Sequence, residues 1–562
     1  MNIAAPTPRQ HRSGSPKAGR SVPRGRQASD ADHAALRTLL RPDGLQTDFG
    51  RRDLLIEYLH AINDARGGLP TGLLAALAET MRLPLAEVFE TATFYAHFRV
   101  VEGDEPVLTT LRVCDSLSCC MAGADALAAQ LETLDGLRVE RAPCMGQCDR
   151  APCAVLGKNV IAPASLETVQ AAHAAGAVAP VLPQYKGLAA YRAQGGYSVL
   201  AKLRSGALTR ESLLAEIEAA NLRGMGGAGF PTARKWRALL AQPGPRLLAV
   251  NGDEGEPGTL KDRWLLETDP HGFLEGLLIA AHVIEAAAAY IYLRDEYPAL
   301  HVVIARELAA LKDAGLLGDL TVELRRGAGA YICGEESAML ESIEGKRGLP
   351  RQKPPFPFQI GLFGRPTLIN NIETLYWVPQ VADKGASWWN SHGRNGSTGL
   401  RSYSVSGRVR NPGVKLAPAG VTITELIEEF CGGMLPGHHF MAYLPGGASG
   451  GILPASLDNI PLDFGQLEKY GCFIGSAAVI VLSGQDDVKA AALNLMRFFR
   501  HESCGQCTPC RVGTEKAVAL MAQPDWNEPL LRDLAQVMRD ASICGLGQAA
   551  PNPLLSVLER FT

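Results

Sequence analysis

Apolar residues near the start of the chain recur at helical spacing. Leu55, Leu59 and Ile62 fall at i, i+4 and i+7, Gly67, Gly68 and Pro70 interrupt the pattern, and Leu73–Thr80 resumes it. This predicts short amphipathic helices in a small bundle over residues 31–100. The period then shortens. Val107–Val113 reads as a strand ending at Cys114, Ala122–Leu134 as a helix, and Leu137–Ala142 as a second strand leading to Cys144, followed by the apolar Ala154–Leu156. Residues 101–178 are therefore expected to form a small α/β unit with cysteines at its strand ends. Proline, glycine and weak periodicity mark 179–205 as a linker. A second α/β region is expected over 206–391, with strands at Leu247–Val250, Tyr290–Leu293 and Leu320–Arg325 and helices at Leu274–Ala288 and Ala305–Ala314. Strand and helix signals alternate again over 392–486, and 487–562 is helical.

Three glycine-rich loops interrupt the second α/β region. In LRGMGGAGF (222–230), Gly224, Gly226, Gly227 and Gly229 allow positive φ and let a flat or anionic ligand lie against main-chain N–H groups. The bare GxGxxG spacing is equally compatible with a simple turn. The second loop carries Asp253, Glu254 and Glu256 among Gly252, Gly255 and Gly258 directly after an apolar strand, the place where open α/β sheets hold ligands. The third is GAGAYICGEE (327–336), and KPPFPF (353–358) and INNIETL (369–375) follow it. Together they point to one cofactor pocket. Gly446, Gly447, Gly450 and Gly451 form a further loop, read as a turn with no chemistry.

Composition narrows the class. At 562 residues the chain is long enough for three or four cores. Its 55 basic and 58 acidic residues, net charge −3, point to neither nucleic acid nor an anionic membrane. Only the start departs from this balance: Arg9, Arg12, Lys17, Arg20, Arg24 and Arg26 precede the first acid, Asp30, so residues 1–30 are expected to be a disordered basic tail. No stretch reaches the ~18 uncharged apolar residues of a membrane span. The nearest, Phe273–Leu293, contains Glu275, His282 and Glu285 and reads as a buried helix followed by a strand. The expected location is the cytoplasm.

Thirteen cysteines without an export signal argue for thiolates and metal rather than disulfides. Cys114 and Cys119 have four residues between them, Cys144 and Cys148 three, and 24 separate the pairs. Four thiolates from two loops suit a two-iron cluster or tetrahedral zinc. Cys504, Cys507 and Cys510 form CxxCxxC, joined by Cys544 after 33 residues, a pattern that suits a four-iron cubane, with zinc as the alternative. On spacing alone Cys120, with five residues between it and Cys114, is an alternative to Cys119.

The glycine-rich and acidic loops together resemble the flavin-binding subunit of respiratory complex I and its relatives, the NADH-oxidising (diaphorase) subunits of soluble NAD-linked formate dehydrogenases and hydrogenases. LPLAEVFETATFYAHF (83–98) and the Cx4C, Cx3C cysteines resemble the two-iron subunit of complex I, so the chain looks like a fusion of the two. The resemblance implies a multidomain α/β and α+β fold: a helical bundle, a thioredoxin-like ferredoxin domain, a Rossmann-like flavin domain, a ubiquitin-like domain and a C-terminal helical bundle. It turns both cysteine sets toward iron–sulfur, with one 2Fe-2S cluster on Cys114, Cys119, Cys144 and Cys148 and one 4Fe-4S cluster on Cys504, Cys507, Cys510 and Cys544. It also favours Cys119 over Cys120 and implies that Cys120 and Cys153 are spectators. Gly224, Gly226, Gly227 and Lys235 would hold the phosphate and ribityl chain of FMN. Asn251, Asp253 and Glu254 would surround its ring, with Tyr331, Gly334, Glu335, Asn370, Asn371 and Thr374 completing the pocket. Glu256, Phe230, Lys353, Phe356 and Glu336 would form the NAD(H) side, and Glu256 is the residue expected to act in catalysis. Arg237 and Ala238 depart from the family, where an aromatic residue often follows the Lys–Trp pair.

NADH gives up two electrons together while iron–sulfur clusters accept one at a time, so a flavin between them is the expected converter. The implied partner is a catalytic α subunit with a molybdenum or tungsten pterin cofactor and further iron–sulfur clusters, in an NAD-dependent formate dehydrogenase (formate + NAD+ = CO2 + NADH). The alternatives are an NAD-reducing hydrogenase and a complex I-type NADH dehydrogenase. Complete two-iron ligands, the fused architecture and the lack of a ferredoxin-like extension after Cys544 lean toward formate. A zinc-stabilised scaffold with degenerate loops is the non-enzymatic reading.

Overall fold

The computed structural model describes residues 25–40, 48–102 and 108–561. Residues 1–24 of the expected tail, and Val107 of the expected strand, lie outside the described residues. The end of that tail is ordered. The Ala28 N–H donates to Glu79 at 3.1 Å, and Ser29 caps the helix Asp30–Leu39. This helix packs with Leu55–Arg66, Thr71–Met81 and Leu85–Phe94 around Leu36, Leu59, Leu77 and Val88.

The cysteine-bearing unit has a four-stranded sheet in the order Leu137–Ala142, Thr109–Cys114, Ala154–Leu156, Asn159–Ile161. Its first pair is parallel and the others antiparallel. The helix expected over Ala122–Leu134 is two helices, Leu117–Met121 and Ala124–Leu131, because Gly123 between them takes φ +90°. The linker reading of 179–205 also needs correction. Its second half forms helices Leu188–Ala193 and Ser198–Arg204, and Val199, Leu200 and Leu203 enter the core of the following domain. Their i, i+1, i+4 spacing is a short apolar stripe hidden between glycine-rich flanks.

The central domain is built on a fully parallel sheet in the order Thr367–Asn371, Arg246–Gly252, Ala286–Leu293, Thr321–Arg326. The helix Pro270–Ile284 stops at Glu285, which takes φ +54°, so Ala286–Ala288 join the strand instead of the helix. The next helix begins at Pro298, ahead of the expected Ala305, with proline at a first-turn position where its missing N–H costs nothing. The acidic loop, the 327–336 loop and Asn371 lie at the carboxyl ends of three strands of this parallel sheet. They therefore meet at one edge of the sheet.

A five-stranded sheet follows, in the order Gly413–Pro418, Leu400–Gly407, Ala478–Ser483, Phe440–Leu444, Leu453–Pro454. The chain ends in helices Val488–Glu502, Thr508–Met521, Glu528–Ala541, Gly545–Ala549 and Asn552–Arg560. Among the described residues no helix is long and apolar enough to cross a membrane. The N-terminal bundle is tied to the central domain: the Ala96 and His97 N–H groups donate to Gly329 and Ala328 carbonyls at 3.3 and 3.1 Å, and His97 pairs with Asp295 at 2.5 Å.

Candidate functional site

The strand ends open on a cavity of about 780 Å³. Of the sequence-predicted residues, Gly226, Gly227, Asn251, Asp253, Glu254, Glu256, Tyr331, Gly334, Glu335 and Asn371 line it. Gly227, at φ +123°, shows why glycine is needed. A Cβ there would project into open space with only the Gly475 backbone 4.0 Å away, so the loop leaves a cradle that a side chain would fill.

Three carboxylates in this cavity have different surroundings. Asp253 Oδ2 is buried with no hydrogen-bond partner among the described residues, and burial pushes its carboxyl well above the usual range despite Arg294 nearby. An orphaned oxygen on the wall of a large cavity suits a polar ligand group. Glu254 is spoken for. Its two oxygens accept from the N–H groups of Asp262 (2.8 Å) and Arg263 (3.0 Å) at the start of helix Lys261–Thr268, and from Tyr297 at 3.0 Å. Burial, with Asp262 beside it, raises its pKa to about 7. Glu256 accepts from the Ser449 N–H (2.7 Å), the Ser449 hydroxyl (2.6 Å) and the Tyr331 hydroxyl. Burial raises its pKa, and these donors pull against that shift.

The remaining predicted residues stand behind or outside the wall. Gly224 N–H donates to Phe230 O at 2.9 Å and closes the first loop, while Thr374 accepts from the Met225 N–H at 2.8 Å. Asn370 accepts from the Trp236 indole at 2.9 Å. Lys235 donates to Ile369 O at 2.9 Å and faces Glu336 at 3.9 Å, and Lys353 bridges Glu335 and Glu336 at 2.8 Å each. Burial lowers the Lys235 pKa, with Glu336 opposing. Phe230 and Phe356 are each 44% exposed and lie off the cavity lining.

Sequence reasoning missed several lining groups. Lys261, almost fully buried, contacts Asp262 (2.8 Å), Asn371 (3.2 Å) and Glu373 (3.2 Å). Burial disfavours its charge, but these carboxylates outweigh it and raise its pKa. Three consecutive charges, Lys261-Asp262-Arg263, after an otherwise buried loop were the available signal. The Gly446–Gly451 loop, read as a turn, supplies Gly446 and Ser449 to the cavity. Its contact is made across more than 190 residues of chain and leaves no local trace.

The eight predicted cysteines gather as two sets of four. Cys144 and Cys148 sulfurs lie 3.3 Å apart, and the Cys114 thiol bonds to those of Cys119 and Cys144. Hydrogen bonding to Cys119 and Cys144 raises the Cys114 thiol well above its usual range, whereas Cys144, bonded by Cys114 and Cys148, is held well below. Crowded buried thiolates of this kind suit a cationic cluster that offsets their charge. Cys504, Cys507, Cys510 and Cys544 line one small pocket, whose wall shares Ile332 and Leu546 with the large cavity. On the other side, the Gly258 N–H reaches the Cys148 sulfur. The 504–544 set thus shares wall residues with the large cavity, while the 114–148 set reaches Gly258, next to the lining residue Thr259. Cys120 bonds instead to Asp115 O at 3.0 Å, and Cys153 is buried among apolar residues. Among the described residues no group of three or more His, Cys, Asp or Glu converges as a single-ion site would.

Comparison with known proteins matches these parts in turn. Residues 45–175 match the thioredoxin-like 2Fe-2S ferredoxin model, 217–380 the Nuo51 FMN-binding domain, 402–453 the SLBB domain, and 490–562 the NADH-ubiquinone oxidoreductase-F iron–sulfur binding region. The chain is 40% identical over 372 residues to the mitochondrial NADH dehydrogenase [ubiquinone] flavoprotein 1 of Dictyostelium discoideum, covering 63% of this chain and 78% of that one. It is 38% identical over 370 residues to the mitochondrial NADH-ubiquinone oxidoreductase 51 kDa subunit of Aspergillus niger (62% and 75%). A crystal structure of an NAD+-reducing nickel–iron hydrogenase in the air-oxidized state contains a chain that superposes with TM-score 0.80 at 33% identity, covering 92% of this chain and 94% of that one. The chain belongs to the family of Nuo51-type flavoproteins of NADH-quinone oxidoreductases, carrying 2Fe-2S and 4Fe-4S domains in addition. Its cofactors are FMN, NAD(H), a 2Fe-2S cluster and a 4Fe-4S cluster.

Proposed function

We propose that the chain is the NAD(H)-oxidising module of a formate dehydrogenase, exchanging electrons between NAD(H) and a catalytic subunit that carries a molybdenum or tungsten pterin. The observation that carries the module's role is the large cavity that shares Ile332 and Leu546 with the pocket of Cys504, Cys507, Cys510 and Cys544 and whose acidic loop reaches the other cysteine set through Gly258. FMN supplies the exchange between two-electron hydride chemistry and single-electron transfer. The first glycine-rich loop and Gly227 leave room for it, and Asp253 Oδ2 offers it an unpaired oxygen. Asn251, Asn371, Glu335 and Gly334 line the cavity, with Asn251 donating to Gly334 O at 2.8 Å, and Lys235 brings a cation to Ile369 O beside the first loop. Glu256 belongs to the NAD(H) side and accepts from the Tyr331 hydroxyl of the FMN pocket. Phe230, with Arg234 over its ring, and Phe356, stacked on Phe358, are each 44% exposed and would offer an aromatic face to an adenine, and Lys353 with Glu336 offers polar contacts to ribose.

The formate assignment rests on the family resemblance. A second reading, hydrogen as the electron source, is favoured by the near full-length match to a chain of an NAD+-reducing hydrogenase. Purification of the assembled complex separates them. The formate reading expects molybdenum or tungsten with formate-dependent NAD+ reduction; nickel with hydrogen-dependent reduction would replace it with the second.

A further inference from the structure

We propose that Ser449, in the SLBB domain, is a positioning residue for the NAD(H) site, acting by fixing the orientation of the Glu256 carboxylate. The inference rests on the reading of Glu256 as part of that site. Ser449 makes two hydrogen bonds to the same oxygen, Oε1, through its N–H (2.7 Å) and its hydroxyl (2.6 Å), while Tyr331 holds Oε2. A carboxylate gripped at both oxygens from two different domains cannot turn without breaking a bond.

The loop that carries Ser449 is itself held. The Asn552 side-chain amide, from the last helix, donates to Ser449 O at 2.9 Å; Gly447 N–H donates to Ala478 O at 2.7 Å; and Ile452 N–H donates to the Ser556 hydroxyl at 3.1 Å. Gly447 lies so close to Glu256 that a Cβ there would stand 2.6 Å from its Cγ. Glu256 is therefore seated against the Gly446–Gly451 loop through apolar contact and hydrogen bonds together. The SLBB domain and the C-terminal helices thereby complete a site whose other walls come from the FMN-binding domain. This gives the SLBB domain a part in dinucleotide recognition.

The test uses the full-length, cofactor-loaded protein and NADH with ferricyanide as acceptor. Ser449→Ala removes one hydroxyl donor and leaves the N–H, so a net hydrogen-bond loss should raise KM for NADH about two- to tenfold with kcat changed much less and FMN content unchanged. Ser449→Thr keeps the hydroxyl and should restore KM. In a Glu256→Ala background the Ser449→Ala change should add little, because the carboxylate that Ser449 holds is gone. Equal, additive effects of Ser449→Ala in both backgrounds would overturn the proposal, as would a fall in kcat with KM untouched. If Glu256→Gln alone leaves NADH affinity unaltered, the reading of Glu256 fails and Ser449 falls with it, an outcome distinct from additivity.

Discussion

At the scale of single residues, the site depends on where glycine permits contact rather than on which acids are present. Glu254, two residues before Glu256, spends both oxygens on a helix start and Tyr297, whereas Glu256 is turned to a loop nearly two hundred residues away. Gly447 makes that turn possible in two ways: it takes φ +75°, and it lacks the Cβ that would strike Glu256. Gly447→Ala should therefore cost roughly 1–2 kcal/mol of backbone strain and also displace the carboxylate. Gly465, at φ +82° with open space around it, is the matched control. The expected outcome is a lowered melting temperature for both alanine variants but a raised KM for NADH only in Gly447→Ala. Equal kinetics in the two would show that the contact with Glu256 does not matter to the site.

At the scale of elements, the N-terminal bundle is more than a packing appendage, because its second helix faces the last strand of the parallel sheet through charge. Asp53 accepts from Arg325 at 2.5 Å, Arg51 and Arg325 share Glu323, and Glu57 on the helix lies 3.8 Å from Arg325. Burial outweighs that attraction and pushes the Glu57 pKa up to about 7. An unfolded glutamate titrates near ~4.3. Between these values the folded chain keeps a proton that the unfolded chain has released, so this group's stabilisation is full below the unfolded value and is lost as pH rises through about 7. Glu57→Gln removes that loss. Its melting temperature should gain on the wild type from about pH 5 to pH 8, by the equivalent of up to roughly 3 kcal/mol, and a pH-independent difference would refute the assignment. This seam was not legible in the sequence. Periodicity located the bundle helices Leu55–Arg66 and Thr71–Met81 and three strands of the parallel sheet, because each buries a continuous stripe or run, but it did not read Asp30–Leu39 as a helix or Thr367–Asn371 as the fourth strand. It misplaced the Ala286–Ala288 boundary, since alanine suits both states until Glu285 turns left-handed. It also took Ser198–Arg204 for linker. The cysteine sets and the loops after each strand were readable because their chemistry is local in spacing. Ser449 and Lys261 were not, because their meaning lies in contacts made by the fold.

At the scale of the whole molecule, the two cysteine sets stand in separate parts of the fold around the cavity's loops, and this makes the sets separable. The 504–544 set shares Ile332 and Leu546 with the cavity and is built wholly from C-terminal helices; Cys507 precedes helix Thr508–Met521 and Cys544 precedes Gly545–Ala549. The 114–148 set belongs to a sheet of its own, and its Cys148 accepts from the Gly258 N–H of the acidic loop. The two sets also sit in different apolar clusters of the described residues. Cys507→Ser should therefore abolish the four-iron electron paramagnetic resonance signal while leaving a two-iron signal that NADH still reduces and FMN in normal amount. Electron transfer to the catalytic partner should fall with the four-iron signal, because the pocket of Cys504, Cys507, Cys510 and Cys544 is lined in part by the half-exposed Gln506–Cys507 turn, nearer to solvent than the buried thiols of the other set. Retention of full NADH-linked turnover with the proposed partner, in a protein lacking the four-iron signal, would mean that electrons leave by way of Cys114, Cys119, Cys144 and Cys148, and the four-iron set could not be the exit.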